Sequence, residues 1–157
     1  MTDTTTAVLP QEMRNAIDKA TLVSFDVFDT LIHRIVFRPT HLFDLLSKRL
    51  ASSDLAIQHG RLLMELPRAR ENAEREARAR RHEKMACHEI TLTDVYDILR
   101  ETYALDETTA REIMHEELNL EQFAVYPNPV MQSVYRYALG TGKPVVLCSD
   151  MYLSQAD

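Results

Sequence analysis

Two aspartates, Asp26 and Asp29, lie close together at the end of a short apolar run. The run from Leu22 to Phe25 is typical of a buried strand, and such a strand places Asp26 at its carboxyl end. Open α/β sheets bind their ligands at that end of the strands. A carboxylate held there can attack phosphorus or carbon, or it can bind a metal ion. On this local pattern alone, a strand that ends in an ordinary polar loop is the commoner interpretation.

The residues around Asp26, taken in order, favour a catalytic role over an ordinary polar loop. The run from Asp26 to Leu31 reads Asp-Val-Phe-Asp-Thr-Leu and resembles the first motif of the haloacid dehalogenase-like hydrolases. That superfamily has a nucleophilic Asp at a strand tip, a Thr or Val four residues later and then an apolar residue. The resemblance implies that Asp26 is the nucleophile and that Thr30 assists it. The alternative register, with Asp29 as the nucleophile, would put Thr30 directly beside it and displace the pattern.

Two positions of this motif depart from the phosphatases of the superfamily. Phe28 stands where they carry a second Asp that acts as general acid and base, and Asp29 stands where they usually have Gly. The dehalogenase branch also has an aromatic residue at the position of Phe28, so the implied fold is the same and the reaction is open. The proton for a leaving group must then come from water, from Asp29 or from the helical cap of the superfamily. Asp29 is therefore also a candidate catalytic residue.

A second apolar run, from Val145 to Ser149, resembles the second motif of the same superfamily. In that motif a strand ends in Ser or Thr, whose hydroxyl binds the phosphoryl oxygens, so the resemblance assigns this role to Ser149. Asp150 directly after it is a candidate substrate-binding residue. The tail from Ser149 to Leu153 is also close to a sequence seen in a bacterial subgroup of predicted hydrolases. A helix precedes this strand and another strand lies upstream, which predicts a parallel crossover connection.

Arg34 and Arg38 follow the first motif closely. Either could hold an anionic substrate, because a guanidinium group matches the geometry of phosphate and carboxylate. The simpler interpretation is a solvated surface arginine, and this is the commoner case. Both residues are substrate-binding candidates.

The resemblance further implies Mg²⁺ as a cofactor. The Asp26 carboxylate and the main-chain carbonyl of Phe28 are the protein ligands that the sequence offers, and two are too few for a tight site. The third motif of the superfamily is a Lys, and the fourth is an acidic pair that completes the magnesium site. Both normally lie well downstream of the second motif, and Lys143 precedes its strand. We therefore expect the chain to be the N-terminal part of an enzyme, with little or no phosphatase activity by itself.

The predicted fold class is α/β: the first two strands of a doubly wound, Rossmann-like parallel sheet with an inserted all-helical cap. Residues 1–37 and 124–157 would form the incomplete core, and residues 38–123 the cap. In this superfamily a cap after the first motif covers the active site, and such covers exclude water and select the substrate. Local patterns predict N-caps at Thr40 and Thr91 (with Asp94), a helix that starts at Asp106, a helix with Pro129 in its first turn, and a helix break or first turn at Pro67.

Composition limits the choice of partners and location. The chain has 157 residues, a net charge of −6 and a pI of about 5.5, so nucleic acid is not a favoured partner. No apolar run approaches a membrane span, and the N-terminus lacks a signal-peptide pattern. Cys87 and Cys148 lack metal-type spacing, which fits a reducing cytoplasm with Cys148 buried as a small apolar residue. A homodimer is expected through the uncovered edge of the Leu22–Phe25 strand.

These observations favour a phosphatase or phosphotransferase that acts on a small phosphorylated metabolite through an aspartyl-phosphate on Asp26. One alternative is a dehalogenase-type hydrolase, which the aromatic Phe28 favours. Another is a non-catalytic module with the same fold inside a larger surface-polysaccharide enzyme. The sequence leaves the identity of the substrate open.

Overall fold

The computed structural model describes residues 9–86 and 89–153. Within these ranges the chain is mixed α/β and mostly helical. The helices are α1 (Gln11–Lys19), α2 (His41–Leu50), α3 (Leu55–Met85), α4 (Leu92–Tyr103), α5 (Glu107–Phe123) and α6 (Pro129–Gly140). The strands are β1 (Val23–Asp26), β2 (Ile32–Arg34), β3 (Val125–Pro127) and β4 (Val145–Cys148). They form two sheets of two strands each.

The described residues divide into two compact units. The first, here called the sheet unit, contains residues 9–35 and 125–149, and the second, the helical unit, contains 36–86, 89–124 and 150–153. The sequence analysis placed residues 150–153 in the core with the strands. The structure groups them with the helices instead, because Tyr152 is buried in the helical unit and belongs to its hydrophobic cluster.

The larger element of the sheet unit is the parallel pair of β1 and β4. Their register runs from Val23 opposite Val145 to Asp26 opposite Cys148, which confirms the predicted parallel pairing. Helices α1 and α6 pack against Phe25, which lies in a small core formed by Ile17, Phe25, Val134 and Ala138. Cys148, expected to be buried, is exposed, because neither helix covers its side of the sheet. Cys87 lies outside the described residues.

A second, antiparallel pair joins β2 to β3, with Ile32 opposite Pro127 and Arg34 opposite Val125. Sequence patterns did not predict it, because three residues are too few to show an alternation of apolar and polar side chains. The pair brings together the point where the chain leaves the sheet unit and the point where it returns.

Lys143 has a structural role at the end of α1. Its Nζ donates hydrogen bonds to the carbonyl oxygens of Ile17 (2.6 Å) and Asp18 (2.7 Å). The last carbonyl groups of a helix lack partners within the helix and carry partial negative charge. An ammonium group at this place therefore satisfies them and fixes α1 beside the start of β4.

The helical unit is formed by α2, α3, α4 and α5 around a leucine-rich core. Two predicted helix starts are confirmed. Thr91 and Asp94 form a reciprocal capping box at the start of α4, and Asp106 accepts a hydrogen bond from the Thr109 amide at the start of α5. Thr40 directly precedes α2, as predicted, but it has helical backbone angles and its side chain makes no capping hydrogen bond.

Pro67 lies inside α3, so the predicted break or first turn at this position is wrong. A proline lacks the N–H that would bond to the carbonyl four residues earlier, which here is that of Leu63. The Ser47 hydroxyl on α2 donates to the Leu63 carbonyl oxygen over 2.5 Å. This side chain replaces the missing donor, and α3 continues through the proline. The helix does change direction at His59, whose backbone angles are not helical.

Among the described residues, no helix combines the length and the apolar character that crossing a membrane requires.

Candidate active site

Asp26 is the last residue of β1, and its carboxylate is exposed at the carboxyl end of the strand. Immediately after it the chain makes a tight turn, in which the amides of Leu31 and Ile32 both donate to the Val27 carbonyl oxygen, over 2.9 and 3.1 Å. The turn folds Thr30 back, so that its Oγ1 donates to Asp26 Oδ2 over 2.7 Å. One carboxylate oxygen is thus held by a hydrogen bond.

Asp29 has a left-handed backbone conformation, with a φ of 59°. Residues with a side chain adopt this region at a cost, and Asp and Asn tolerate it better than most. The turn therefore needs Gly, Asn or Asp at this position, which explains an Asp where the resemblance leads one to expect Gly. It also gives Asp29 a structural reason to be present, and this favours Asp26 over Asp29 as the nucleophile.

Asn128 connects this turn to the start of α6. Its side-chain Nδ2 donates to the Thr30 carbonyl oxygen (3.1 Å), and its main-chain N–H donates to the Leu31 carbonyl oxygen (2.9 Å). Its Oδ1 accepts from the amides of Val130 and Met131 and so caps the helix. Sequence analysis missed this residue, although an Asn directly before a helix-starting Pro is a recognisable N-cap signal.

Ser149 follows Cys148, the residue that pairs with Asp26 in the parallel sheet. Parallel strands end on the same side, so Ser149 and Asp26 belong to the same edge of this sheet. Both side chains are exposed there. Two residues before Asp26 in β1, Ser24 has its Oγ 3.3 Å from Cys148 Sγ, so the side chains link the two strands as well. The two residues that the resemblance singles out are thus brought to one edge.

Phe28 supports Arg34. The Arg34 guanidinium carbon lies 4.2 Å from the centre of the Phe28 ring, a distance at which a cation is attracted to the face of an aromatic ring. Phe28 cannot exchange a proton, so it cannot replace the acid and base that phosphatases carry at this position. The arrangement instead keeps a positive charge next to the turn that carries Asp26.

Arg38 and Asp150 lie in the helical unit, whereas the other candidates lie in the sheet unit. Both side chains are exposed. Their part in substrate binding stays a prediction. The candidates that the structure gathers in the sheet unit are Asp26, Phe28, Asp29, Thr30, Arg34 and Ser149.

The donors at the end of β1 suit Mg²⁺ by their chemistry. The Asp26 carboxylate and the main-chain carbonyl of Phe28 supply hard oxygen atoms, and Mg²⁺ in proteins is often held by one or two carboxylates together with water and substrate phosphate. Within the described part of the chain, no group of three or more His, Cys, Asp or Glu side chains could hold a metal ion. Asp26 and the carbonyl of Phe28 are the groups that would hold Mg²⁺ at this end of the strand.

The helical unit contains a buried charged cluster that the sequence did not reveal. Arg70 is fully buried, and its Nε and Nη2 donate to the two carboxylate oxygens of Glu117, each over 2.9 Å. The Tyr96 hydroxyl donates to Glu117 over 2.8 Å. Burial by itself would lower the pKa of Arg70, but the Glu117 charge outweighs it and raises that pKa. Burial and Glu117 together raise the pKa of Tyr96, so the phenol stays a hydrogen-bond donor.

Comparison with known proteins adds no identification: no family model matches the chain, and no curated protein matches it. The resemblance to haloacid dehalogenase-like hydrolases therefore depends on the motif residues and on their arrangement.

Proposed function

We propose that the chain carries the nucleophile of a haloacid dehalogenase-like hydrolase that acts on a small phosphorylated metabolite in the cytoplasm. In this proposal β1 and β4 belong to a doubly wound, Rossmann-like sheet, and the helical unit is the cap. The observation that supports it best is the pairing of Asp26 with Cys148 in parallel strands. This pairing brings the proposed nucleophile and Ser149 to one edge, and Thr30 holds the nucleophile there.

The reaction would proceed in two steps. An oxygen of Asp26 attacks phosphorus while the bond from phosphorus to the leaving oxygen breaks, and an aspartyl-phosphate forms. Thr30 holds one carboxylate oxygen in place, and Ser149 donates a hydrogen bond to the phosphoryl group. The leaving oxygen takes its proton from water or from Asp29, because Phe28 has none to give. Water then attacks the aspartyl-phosphate, which releases phosphate and restores Asp26.

Positive charge is needed around the phosphoryl group. Arg34 supplies one permanent charge near the turn, where Phe28 supports it. Asp26 and the carbonyl of Phe28 would hold Mg²⁺. When bound, this ion neutralises part of the negative charge on the phosphoryl oxygens. Arg38 and Asp150 would contribute to substrate binding from the helical unit.

A dehalogenase-type reaction is the second candidate, and the contact between Phe28 and Arg34 favours it. An aromatic side chain with a guanidinium group on its face suits an organic acid better than it suits proton transfer. In that reaction Asp26 displaces halide from carbon to form an ester, and water hydrolyses the ester. A non-catalytic module of a larger surface-polysaccharide enzyme is the third candidate.

Activity of the full-length protein tests these proposals. A phosphatase hydrolyses p-nitrophenyl phosphate with added Mg²⁺, whereas a dehalogenase releases chloride from 2-chloropropionate without metal. We expect the first result, with Asp26→Asn inactive and Asp29→Asn retaining activity, since an amide is not a competent nucleophile. If Asp29→Asn is the inactive variant, the register is wrong. A folded protein without either activity would favour the non-catalytic module.

A further inference from the structure

Thr30 is held by its own turn on one side and by Asn128 on the other. Inside the turn, the amides of Leu31 and Ile32 donate to the Val27 carbonyl oxygen. From outside, Asn128, 98 positions further along the chain, donates from Nδ2 to the Thr30 carbonyl oxygen over 3.1 Å. A side chain keeps its place only if the backbone that carries it does, so this bond bears directly on the Thr30 hydroxyl.

The hydrogen bonds of Asn128 fix the orientation of its side-chain amide. Oδ1 accepts from the main-chain N–H groups of Val130 (3.1 Å) and Met131 (3.3 Å), while Nδ2 donates to Thr30. A reversed amide would place its NH₂ group against two N–H donors and its oxygen against a carbonyl oxygen. The side chain therefore has two roles: its oxygen caps α6, and its nitrogen restrains Thr30.

The backbone around Asn128 prepares the residue for these contacts. Its main-chain N–H donates to the Leu31 carbonyl oxygen over 2.9 Å, and Pro127 directly before it pairs with Ile32. Pro129 directly after it favours an extended conformation in the preceding residue, and Asn128 has one, with a φ of −72° and a ψ of 113°. Asn128 has little conformational freedom left to lose, so its amide is a rigid anchor.

Helix α6 connects this anchor to the strand that carries Asp26. Val134 of α6 is buried in one small core with Phe25, the residue of β1 directly before Asp26. From Asn128, two hydrogen bonds lead back to the same strand, the first to the Thr30 carbonyl oxygen and the second from the Thr30 hydroxyl to Asp26. The support of the carboxylate thus begins and ends on β1, within the sheet unit.

We propose that Asn128 is a positioning residue, whose Nδ2 fixes the main chain of Thr30 and thereby keeps the Thr30 hydroxyl on Asp26. Its importance for catalysis rests on the proposed function, whereas its effect on Thr30 does not. Asp and Ser also cap helices well. Asp has no donor for the Thr30 carbonyl, however, and Ser is too short to reach both partners. Substitution can therefore separate the two roles of Asn128.

The side-chain rotamer of Thr30 tests the proposal directly. Asn128→Ser keeps a cap on α6 and removes the donor to Thr30. We expect three-bond carbon–carbon couplings to show one χ1 rotamer of Thr30 in the unaltered chain and rotamer averaging in Asn128→Ser. The amides of Leu31 and Ile32 should exchange with solvent about fivefold faster in this variant. Amides in the middle of α6 should exchange as before, because the cap is retained.

Two further variants complete this experiment. Asn128→Asp sets a carboxylate oxygen against the Thr30 carbonyl oxygen, so we expect it to exceed Asn128→Ser in both measurements. Asn15→Ser is the matched control, since it is the same substitution at an exposed position of α1 in the same unit, and it should leave Thr30 unchanged. If Thr30 keeps one rotamer and its turn keeps its exchange rates in both Asn128 variants, the proposal is overturned.

A kinetic double-mutant cycle on the full-length protein separates this proposal from the proposed function. We expect Asn128→Ser to lower kcat about three- to tenfold with little change in KM. In a Thr30→Val background the same substitution should have less than about a twofold effect, because the hydroxyl that it positions is absent. Equal effects in both backgrounds would contradict action through Thr30. Failure of the unaltered protein to hydrolyse p-nitrophenyl phosphate would contradict the proposed function, while the rotamer measurement would still decide the role of Asn128.

Discussion

Thr30 donates its hydroxyl hydrogen to Asp26 Oδ2 over 2.7 Å, and the turn between the two residues is closed by two further hydrogen bonds to the Val27 carbonyl oxygen. The side chain that orients the carboxylate and the backbone that carries it are therefore fixed by the same short segment. A nucleophile prepared in this way loses less freedom when a substrate binds.

Thr30→Val removes this hydrogen bond while keeping the shape of the side chain, and Thr30→Ser keeps the hydroxyl. We expect Thr30→Val to lower the kcat of the full-length protein by about ten- to a hundredfold, because small errors in the orientation of a nucleophile are costly. Thr30→Ser should remain within a few-fold of the unaltered protein. Steady-state kinetics on p-nitrophenyl phosphate gives both values, and a fully active Thr30→Val would show that the bond is dispensable.

The left-handed conformation of Asp29 predicts an unusual order of stabilities. Asp29→Gly should be close to neutral, whereas Asp29→Val should lower the free energy of unfolding by about 1–2 kcal/mol, because a β-branched residue is strained at positive φ. Ser24, an exposed residue of β1, is the matched control, since a strand prefers Val to Gly. Urea denaturation measures all four variants. The same order at both positions would contradict a special conformation at Asp29.

The contact between Ser47 and the Leu63 carbonyl explains how α3 tolerates Pro67, and a double-mutant cycle can test it. Ser47→Ala should lower the free energy of unfolding by about 1–3 kcal/mol, since it leaves a buried carbonyl group without a donor. In a Pro67→Ala background the new N–H can bond to that carbonyl, so the same substitution should cost much less. Additive effects in urea denaturation would show that Ser47 does not compensate for the proline.

The buried pair of Arg70 and Glu117 should be sensitive to the loss of either charge. Glu117→Gln removes the carboxylate that accepts from Arg70 Nε and Nη2 and leaves the buried guanidinium only the weaker pair with Glu74, 3.3 Å away. We expect this change to lower the free energy of unfolding by about 3 kcal/mol. Glu76→Gln is the control, because Glu76 pairs with Arg80 at the surface and such pairs contribute little. Thermal and urea unfolding compare the two. Similar small losses in both would mean that burial does not make the Arg70 pair special.

The parallel pair of β1 and β4 predicts self-association. In the described part of the chain each of these strands has a partner on one side only, and Leu22 and Leu147 are half exposed. Unpaired strand edges with apolar neighbours recruit other chains, so we expect dimers or larger species in light scattering at micromolar concentration. Leu22→Lys should reduce them, and Leu139→Lys, an equally exposed position on α6, should not. A stable monomer whose Val23–Phe25 amides exchange quickly would contradict this expectation.

Short-range patterns predicted well what depends on short-range interactions. The capping box of Thr91 and Asp94 could be predicted from the sequence because both partners lie in one turn of the chain. The strand that ends at Asp26 could be predicted because a short apolar run of four residues precedes this aspartate. The parallel pairing followed from the order of strand, helix and strand along the chain.

Features that depend on distant partners could not be predicted. Arg70 and Glu117 are 47 positions apart, and along the sequence Arg70 looks like the surface arginines of the same helix, such as Arg80. Pro67 was expected to interrupt a helix because the donor that compensates for it, Ser47, belongs to another helix. Tertiary hydrogen bonds thus overrode the local preference at one position and buried a charge at the other.

The antiparallel pair of β2 and β3 has a consequence for the ancestry of the chain. With Arg34 opposite Val125, the ends of the intervening segment are only about 5 Å apart. The pairing of β2 with β3 thus holds the two ends of this segment together. Closing a loop of about 90 residues costs about 3 kcal/mol more conformational entropy than closing a turn of about four, and the β2–β3 pair offsets part of that cost. Recombination at these two positions would exchange the segment from α2 to α5 as a single cassette. A replacement cassette would also have to accommodate Tyr152, which arrives from outside it.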